Sequence, residues 1–420
     1  MAERIRWSSP PSADFDFGIT PFMKISHSPR IPAGFSLVEL MIAMSLGLVL
    51  VAAFSNVYLS SRTASRRVAQ LSTLQQSVRT AFDYLNNDAH AIGMMGCFTG
   101  TDSAITNTTT PAVPDLTNNY GPWVEGYDAA TVPSYPLAAA SAAANWNTNA
   151  TGTATLGKGR GIDTIPFATL GTAVTLGSDV LVLRTTVGRP LRITTATINP
   201  VLTPNQILLE AIASGGTCTT NTSLSKVSGL CPNSHALIAN CTQARAFQVA
   251  SIGSTGTITI AGTGLTGSAN FQQTTTEVFP LQTVVYYVRP SSNGKTQSLY
   301  RRVFDGDDGA TGTGDEQELI EDVENLQVLY GIDNVTTNAD GSPDLTVDSY
   351  VTANGVTDWS KVVAVRVALL IRAQDPVGAD VTLPASAPVN GVAVTFPTSG
   401  AKYDRRVFTT TIALRNKVAY

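Results

Sequence analysis

The sequence predicts an α+β protein: one long N-terminal helix, followed by a domain built mainly from antiparallel β-strands with insertions. Two observations carry that prediction. First, an apolar run opening at Phe35 passes into a stretch with helical spacing, and no proline occurs between Pro32 and Pro111. Second, from Asp179 onward short β-branched segments alternate with turn residues. The composition agrees. Charged residues make up only 14% of the 420, net charge is −4, and Gly is frequent at 34 residues. That balance fits an exported β-rich chain and leaves no basic footprint for nucleic acid.

The helix comes first. From Phe35 to Leu59 the only charge is Glu39. At ~1.5 Å per residue a helix of that length crosses a hydrocarbon core of roughly 30 Å. A carboxylate inside such a run is expensive, on the order of 2–3 kcal/mol or more, unless it is paired. Cutting the chain after Gly34 would create a partner of opposite sign, the α-amino group of Phe35.

The segment Gly34-Phe35-Ser36-Leu37-Val38-Glu39-Leu40 resembles the processing signal of type IV pilins and pseudopilins. That resemblance implies that a prepilin peptidase cuts after Gly34 and that Phe35 becomes the methylated N-terminus. It also implies that Glu39 is a filament-docking carboxylate, pairing with the terminal amine of a neighbouring subunit. Residues 1–34 are polar and proline-bearing, and are expected to be a leader peptide. Met23 offers a second start, which would leave a 12-residue basic leader from Met23 to Gly34. Lys24 and Arg30 precede the span while Arg62, Arg66 and Arg67 follow it, so charge does not orient it. Orientation comes from the cleavage motif.

Beyond Leu59 the chain turns amphipathic. Val68, Leu71, Leu74, Val78, Phe82, Leu85, Ala89 and Ile92 mark one face; Arg66, Arg67, Gln75, Gln76, Arg79, Asp83 and Asn87 mark the other. Gly93 stands where a helix stop belongs. One helix from Phe35 to about Ile92, ~85 Å long, is predicted, its second half lying on a globular domain. The run Gln75 to Leu85, followed by Ile92-Gly93-Met94-Met95-Gly96-Cys97, is similar to the PilW kind of minor pilin, as is a final strand closing on Leu414-Arg415-Asn416. Met94 and Met95 are expected in the core under the sheet.

Residues 98–175 show the least pattern, and Ala129 to Gly157 carries no charge. Loops in a variable insertion are expected there, anchored by Trp123 and Trp146. The predicted strands are Val180–Arg184, Gln206–Leu209, Phe247–Val249, Thr257–Ile260, Val284–Arg289, Ser298–Val303, Leu326–Asp333, Val362–Ile371 and Arg406–Leu414. Asn293-Gly294 predicts a hairpin.

Cys97, Cys218, Cys231 and Cys241 are disulfide candidates in an oxidising compartment, with three pairings open. A zinc site is disfavoured because no C-x-x-C spacing occurs and only His235 lies near. Gly262, Gly264 and Gly267 satisfy G-x-G-x-x-G, but no helical period follows, so a β turn is expected. The carboxylates of 305–316 lack EF-hand spacing and are expected to form a solvated acidic loop. His27, His90 and His235 are the only histidines, and neither G-x-S-x-G nor H-E-x-x-H occurs, so no enzymatic activity, cofactor or metal is expected.

The expected organisation is a leader (1–34), a transmembrane or filament-core helix (35–61), its amphipathic half (62–93), a variable insertion region (94–178) and a β-rich pilin domain (179–420). The resemblance implies a minor pilin in type IV pilus assembly, acting in a priming or tip complex. The implied partners are the major pilin and other minor pilins, prepilin peptidase, the inner-membrane assembly platform and membrane lipid. The implied location is the bacterial inner membrane, with the C-terminal domain periplasmic, and then the filament. Two readings stand beside it: a type II secretion minor pseudopilin, and a membrane-anchored adhesin or sugar-binding module.

Overall fold

The computed structural model describes residues 36–98 and, with interruptions, 105–417; the longest interruption is 138–173, and others include 108–119, 199–205, 219–224, 307–314 and 335–343. The chain forms two compact units, Met1–Ser65 and Arg66–Tyr420. Helix α1 (Leu37–His90) is a single 54-residue element, close to the predicted bounds. In the first unit its side chains are exposed at every position but Gly47. It ends through a turn at Ala91–Gly93, where Gly93 takes φ +72°, the left-handed conformation a glycine adopts cheaply at a helix stop.

In the second unit the buried side of α1 begins at Leu74 and continues through Val78, Ala81, Leu85, Asp88 and Ala89. The predicted apolar face is right from there on. Val68, assigned to it, is 70% exposed and lies ahead of the packed segment.

The main strands are β1 (Val124–Tyr127), β2 (Val180–Thr186), β3 (His235–Ala239), β4 (Ala244–Ile252), β5 (Glu277–Pro290), β6 (Gln297–Phe304), β7 (Asp315–Glu321), β8 (Val323–Ile332), β9 (Ser349–Val351), β10 (Val362–Arg372) and β11 (Arg405–Ala413). They make two antiparallel sheets. The larger runs β7-β6-β5-β3-β4 and continues through Thr257–Ile260 and Gln206–Leu208. The smaller runs β9-β8-β10-β11.

Strand β5 is the hub of the larger sheet because its 14 residues are long enough to take several partners. Leu281–Tyr286 pairs with β2, Glu277–Leu281 with β3, and Thr283–Pro290 with β6 on the other side. The β5–β6 hairpin turns at the predicted Asn293-Gly294. Six residues, 291–296, separate the strands rather than two: Gly294 N–H donates to Ser291 C=O, and only Gly294 among them has positive φ.

Both sheets turn one face toward α1. Leu181, Leu183, Val284, Tyr286 and Val288 from the first sheet, and Val328, Val365, Val367 and Leu369 from the second, share one core with Leu74, Val78, Ala81 and Leu85. The opposite faces are buried too. Val285 and Tyr287 pack with Val180, Val182 and Tyr300, while Ala368 and Leu370 pack under the hairpin Ser386–Val389/Val392–Thr395. Burial on both faces is why β10 reads as a near-continuous apolar run.

The structure corrects three expectations. Asp315 and Glu316 open edge strand β7 instead of ending a solvated loop, and 307–314 lies outside the described residues. Val124–Tyr127, expected to be loop, is a buried strand paired with β2. Met95 is buried, but Met94 is 46% exposed and is not core. Trp123 is fully buried as expected, while Trp146, the leader and Gly262, Gly264 and Gly267 lie outside the described residues.

The two sheets are sewn together where the chain enters β2. The Asn325 and Gln327 amides of β8 donate to Gly177 C=O at 2.8 and 2.9 Å. Buried Asp179 accepts from Ala129 N–H at 2.9 Å and from Val328 N–H at 2.8 Å. Burial, then the charge of Asp128, pushes the Asp179 carboxyl up from 3.8 to about 8, against the pull of those two N–H groups. A raised folded-state pKa contributes stability that is complete below the unfolded value and is lost as pH rises toward the folded one. Glu318 acts in the opposite sense. Its modest burial is outweighed by donors from Ser291 and Ser292, which bring it down to about 2, so its contribution is lost only below about pH 4.5. Between about pH 5 and 8, then, Asp179 makes residues 66–420 less stable as pH rises. Thermal unfolding across that window should show Tm falling with pH in the native protein and a flatter profile in Asp179→Asn. Parallel profiles would contradict the assignment.

Candidate functional site: the two ends of the long helix

The N-terminal end of α1 is set by its first residues. Ser36 precedes the helix, and its Oγ accepts the Glu39 backbone N–H at 3.2 Å. Serine at the cap with glutamate three residues on is the spacing of a capping box. Glu39 therefore lies in the first turn, where the helix dipole favours negative charge. Its side chain is exposed, as are those of Leu37, Leu40, Met41, Leu48, Phe54 and Leu59. Gly34 and Phe35 lie outside the described residues, so the geometry of the predicted cut is not on view. Among the described residues α1 is the one helix long and apolar enough to cross a membrane.

The C-terminal end is held by three independent ties. The first is ionic. Arg301 of β6 grips Asp88 in fork geometry, Nε to Oδ2 at 2.7 Å and Nη2 to Oδ1 at 2.9 Å. Tyr286 of β5 donates its hydroxyl to the same Oδ2 at 2.5 Å. Burial, then the Asp88 charge, drives the Tyr286 phenol far above its ordinary pKa, keeping it a donor. Burial works against the Arg301 charge, but the hydrogen bond and charge of Asp88 outweigh it and raise its pKa. The second tie is a cap: Asn416 Nδ2 donates to His90 C=O at 2.7 Å, satisfying one of the carbonyls a helix end leaves open. The third is covalent. Cys97, just past the helix stop, is bonded to Cys241 in the β3–β4 turn.

The second disulfide joins Cys218 to Cys231. Of the three pairings the sequence left open, this is the one that forms, and it leaves no thiolate for zinc. By loop-closure entropy a bridge across 144 residues is worth on the order of 5 kcal/mol and one across 13 residues about 3. His90 is exposed as expected and serves through its carbonyl, while His235 is buried against the Tyr120 ring at 5.3 Å.

Asp88 is the functional residue that periodicity missed. It falls among Leu85, Ala89 and Ile92, on the buried face, where helical spacing asks for an apolar side chain. That misfit was the available signal: a carboxylate on a buried stripe requires a cation opposite.

Because the pair is largely buried, Arg301→Ala leaves Asp88 uncompensated and should cost about 3 kcal/mol or more in denaturant unfolding of residues 66–420. Arg301→Lys should recover part of that, and a loss below about 1 kcal/mol in the alanine variant would contradict the anchoring role.

Comparison with known protein families gives two matches. Residues 285–416 match the model of PilW, type IV pilus-assembly protein W, and residues 30–55 match the prokaryotic N-terminal methylation motif. The first span contains Tyr286, Arg301 and Asn416, the residues that grip the end of α1; the second contains Gly34, Phe35 and Glu39. Searches of curated proteins and of solved structures return no match.

Proposed function

We propose a mechanism that takes as its premise that this chain is a PilW-family minor pilin of type IV pilus assembly, membrane-anchored and associated with other pilus components. The observation that carries it is the coincidence of the methylation motif at 30–55 with the start of a long, exposed, apolar helix. In this reading prepilin peptidase cuts after Gly34, the new amine of Phe35 is methylated, and α1 waits in the inner membrane with the second unit in the periplasm. Membrane lipid is then exchanged for the helices of the major pilin and other minor pilins at the assembly platform. The apolar side chains from Leu37 to Leu59 supply cohesion in both settings, because they are exposed within the chain itself.

Glu39 would set the register. In an apolar medium a lone carboxylate is costly, and a neighbouring subunit's terminal amine relieves that cost at one axial position only. The first-turn placement of Glu39 and its exposed side chain support this, since the carboxylate is free to reach outward while its own backbone N–H is already capped. A priming or tip position is the finer role proposed, and the PilW match over 285–416 favours the pilus over a secretion system.

The test is Glu39→Ala in cells carrying the assembly machinery. Cleavage should proceed as in the native protein while the amount recovered in sheared pili falls about tenfold, the equivalent of ~1.4 kcal/mol of docking energy. Undiminished incorporation would rule out the docking role.

A further inference from the structure

Just beyond its apolar run, α1 carries Arg62, Arg66 and Arg67, all exposed. They stand on consecutive turns, so the helix alone fixes their spacing. Tyr58, Arg62 and Arg66 follow one another at four-residue steps and share a face, with Arg67 beside it. Among the described residues none of the three arginines has a hydrogen-bond or ion-pair partner. From Leu40 to Phe82 no carboxylate occurs, and the only charges are these three and Arg79. The patch is therefore cationic, with nothing on its own stretch of helix to neutralise it.

Its position says what would. Leu59 closes the apolar run, and at ~1.5 Å per residue Arg62 lies ~4.5 Å beyond it and Arg67 ~12 Å. The headgroup layer of a bilayer is roughly 5–8 Å deep on each side of the hydrocarbon. Helical side chains lean toward the helix N-terminus, so the long arginine stems lean back toward Leu59 and the phosphate level. Tyr58, exposed, marks the same boundary, because tyrosine is favoured where hydrocarbon meets headgroups. A guanidinium presents a rigid fork of donors that matches phosphate oxygens. With no carboxylate near to pair with the ammonium of a zwitterionic headgroup, the attraction favours anionic lipid.

We propose that Arg62, Arg66 and Arg67 bind the phosphates of anionic phospholipid in the leaflet at the C-terminal end of the apolar run, and so fix the depth at which α1 is held in the membrane. In the pilin reading that leaflet is the periplasmic one. Basic residues flanking a span are favoured on the cytoplasmic side, so three arginines on the far flank hinder export, and a role at their destination accounts for them. The same lipids must then be given up when the helix leaves the bilayer for the filament. The lipid contact itself requires only that α1 cross a bilayer, so its failure and the failure of the pilin reading are separate results.

The experiment is native mass spectrometry of the full-length protein in an uncharged detergent, with equimolar dioleoylphosphatidylglycerol and dioleoylphosphatidylcholine. The native protein should retain phosphatidylglycerol about tenfold over phosphatidylcholine. Arg62→Gln, Arg66→Gln and Arg67→Gln together should bring that ratio to about one. Thermal unfolding should not change, since all three side chains are exposed. The corresponding triple lysine variant, which keeps the charge, should keep most of the preference. Arg79→Gln, exposed but well beyond the headgroup layer along the same helix, should behave like the native protein. Equal retention of the two lipids by the native protein would overturn the proposal. So would a triple glutamine variant that keeps the native preference, which puts the lipid elsewhere and leaves the arginines to an acidic protein partner. Displacement of phosphatidylglycerol by about 10 mM inorganic phosphate, the mark of a simple anion site, would overturn it as well.

Discussion

The fork between Arg301 and Asp88, closed by the Tyr286 hydroxyl, is the constraint on which the second unit is arranged. An amphipathic helix lying on a sheet has many rotations and slides of nearly equal apolar burial. A largely buried carboxylate removes that degeneracy, because one position alone gives it both a guanidinium and a phenol. Tyr286 and Arg301 face each other on β5 and β6, so the same pair of strands that forms the centre of the larger sheet also sets the helix register. The Asn416 cap and the Cys97–Cys241 bridge act on the same last turns, from the C-terminus of the chain and from the β3–β4 turn. The end of α1 is thus held by ionic, hydrogen-bonded and covalent ties at once.

The two sheets share this logic of connection. They are joined covalently through a single residue, Asp322, and laterally through the hydrogen bonds that Gly177 and Asp179 make with β8. Strand β8 is therefore fastened to the start of β2 while it pairs with β9 and β10 within the smaller sheet. Most of this framework falls within 285–416, the span that matches PilW.

Much of the architecture could be read in the sequence, and for identifiable reasons. The helix was legible because a 25-residue apolar run and a long amphipathic stretch follow each other without a breaker. Strands such as β10 were legible because burial on both faces writes an unbroken apolar run. By contrast, β3 is a fully buried five-residue strand of sequence His-Ala-Leu-Ile-Ala, too short and too alanine-rich to stand out. Strand β7 reads as a charged loop because it lies at a sheet edge with four of its first five residues polar and exposed or half-exposed, where carboxylates discourage unwanted pairing. At the site, Glu39 announced itself as a charge in an apolar run. Asp88 did not, since one acidic residue in an amphipathic helix is ordinary until its face is known.

The proposed function turns on a processed chain that begins at Phe35 and enters the pilin pathway. The most direct measurement is the mass of the N-terminal peptide from protein recovered from cells with an active prepilin peptidase. A peptide starting at monomethylated Phe35 is the predicted result. A peptide that retains Gly34 and residues before it, in the presence of active peptidase, would contradict the account and leave α1 as a plain membrane anchor.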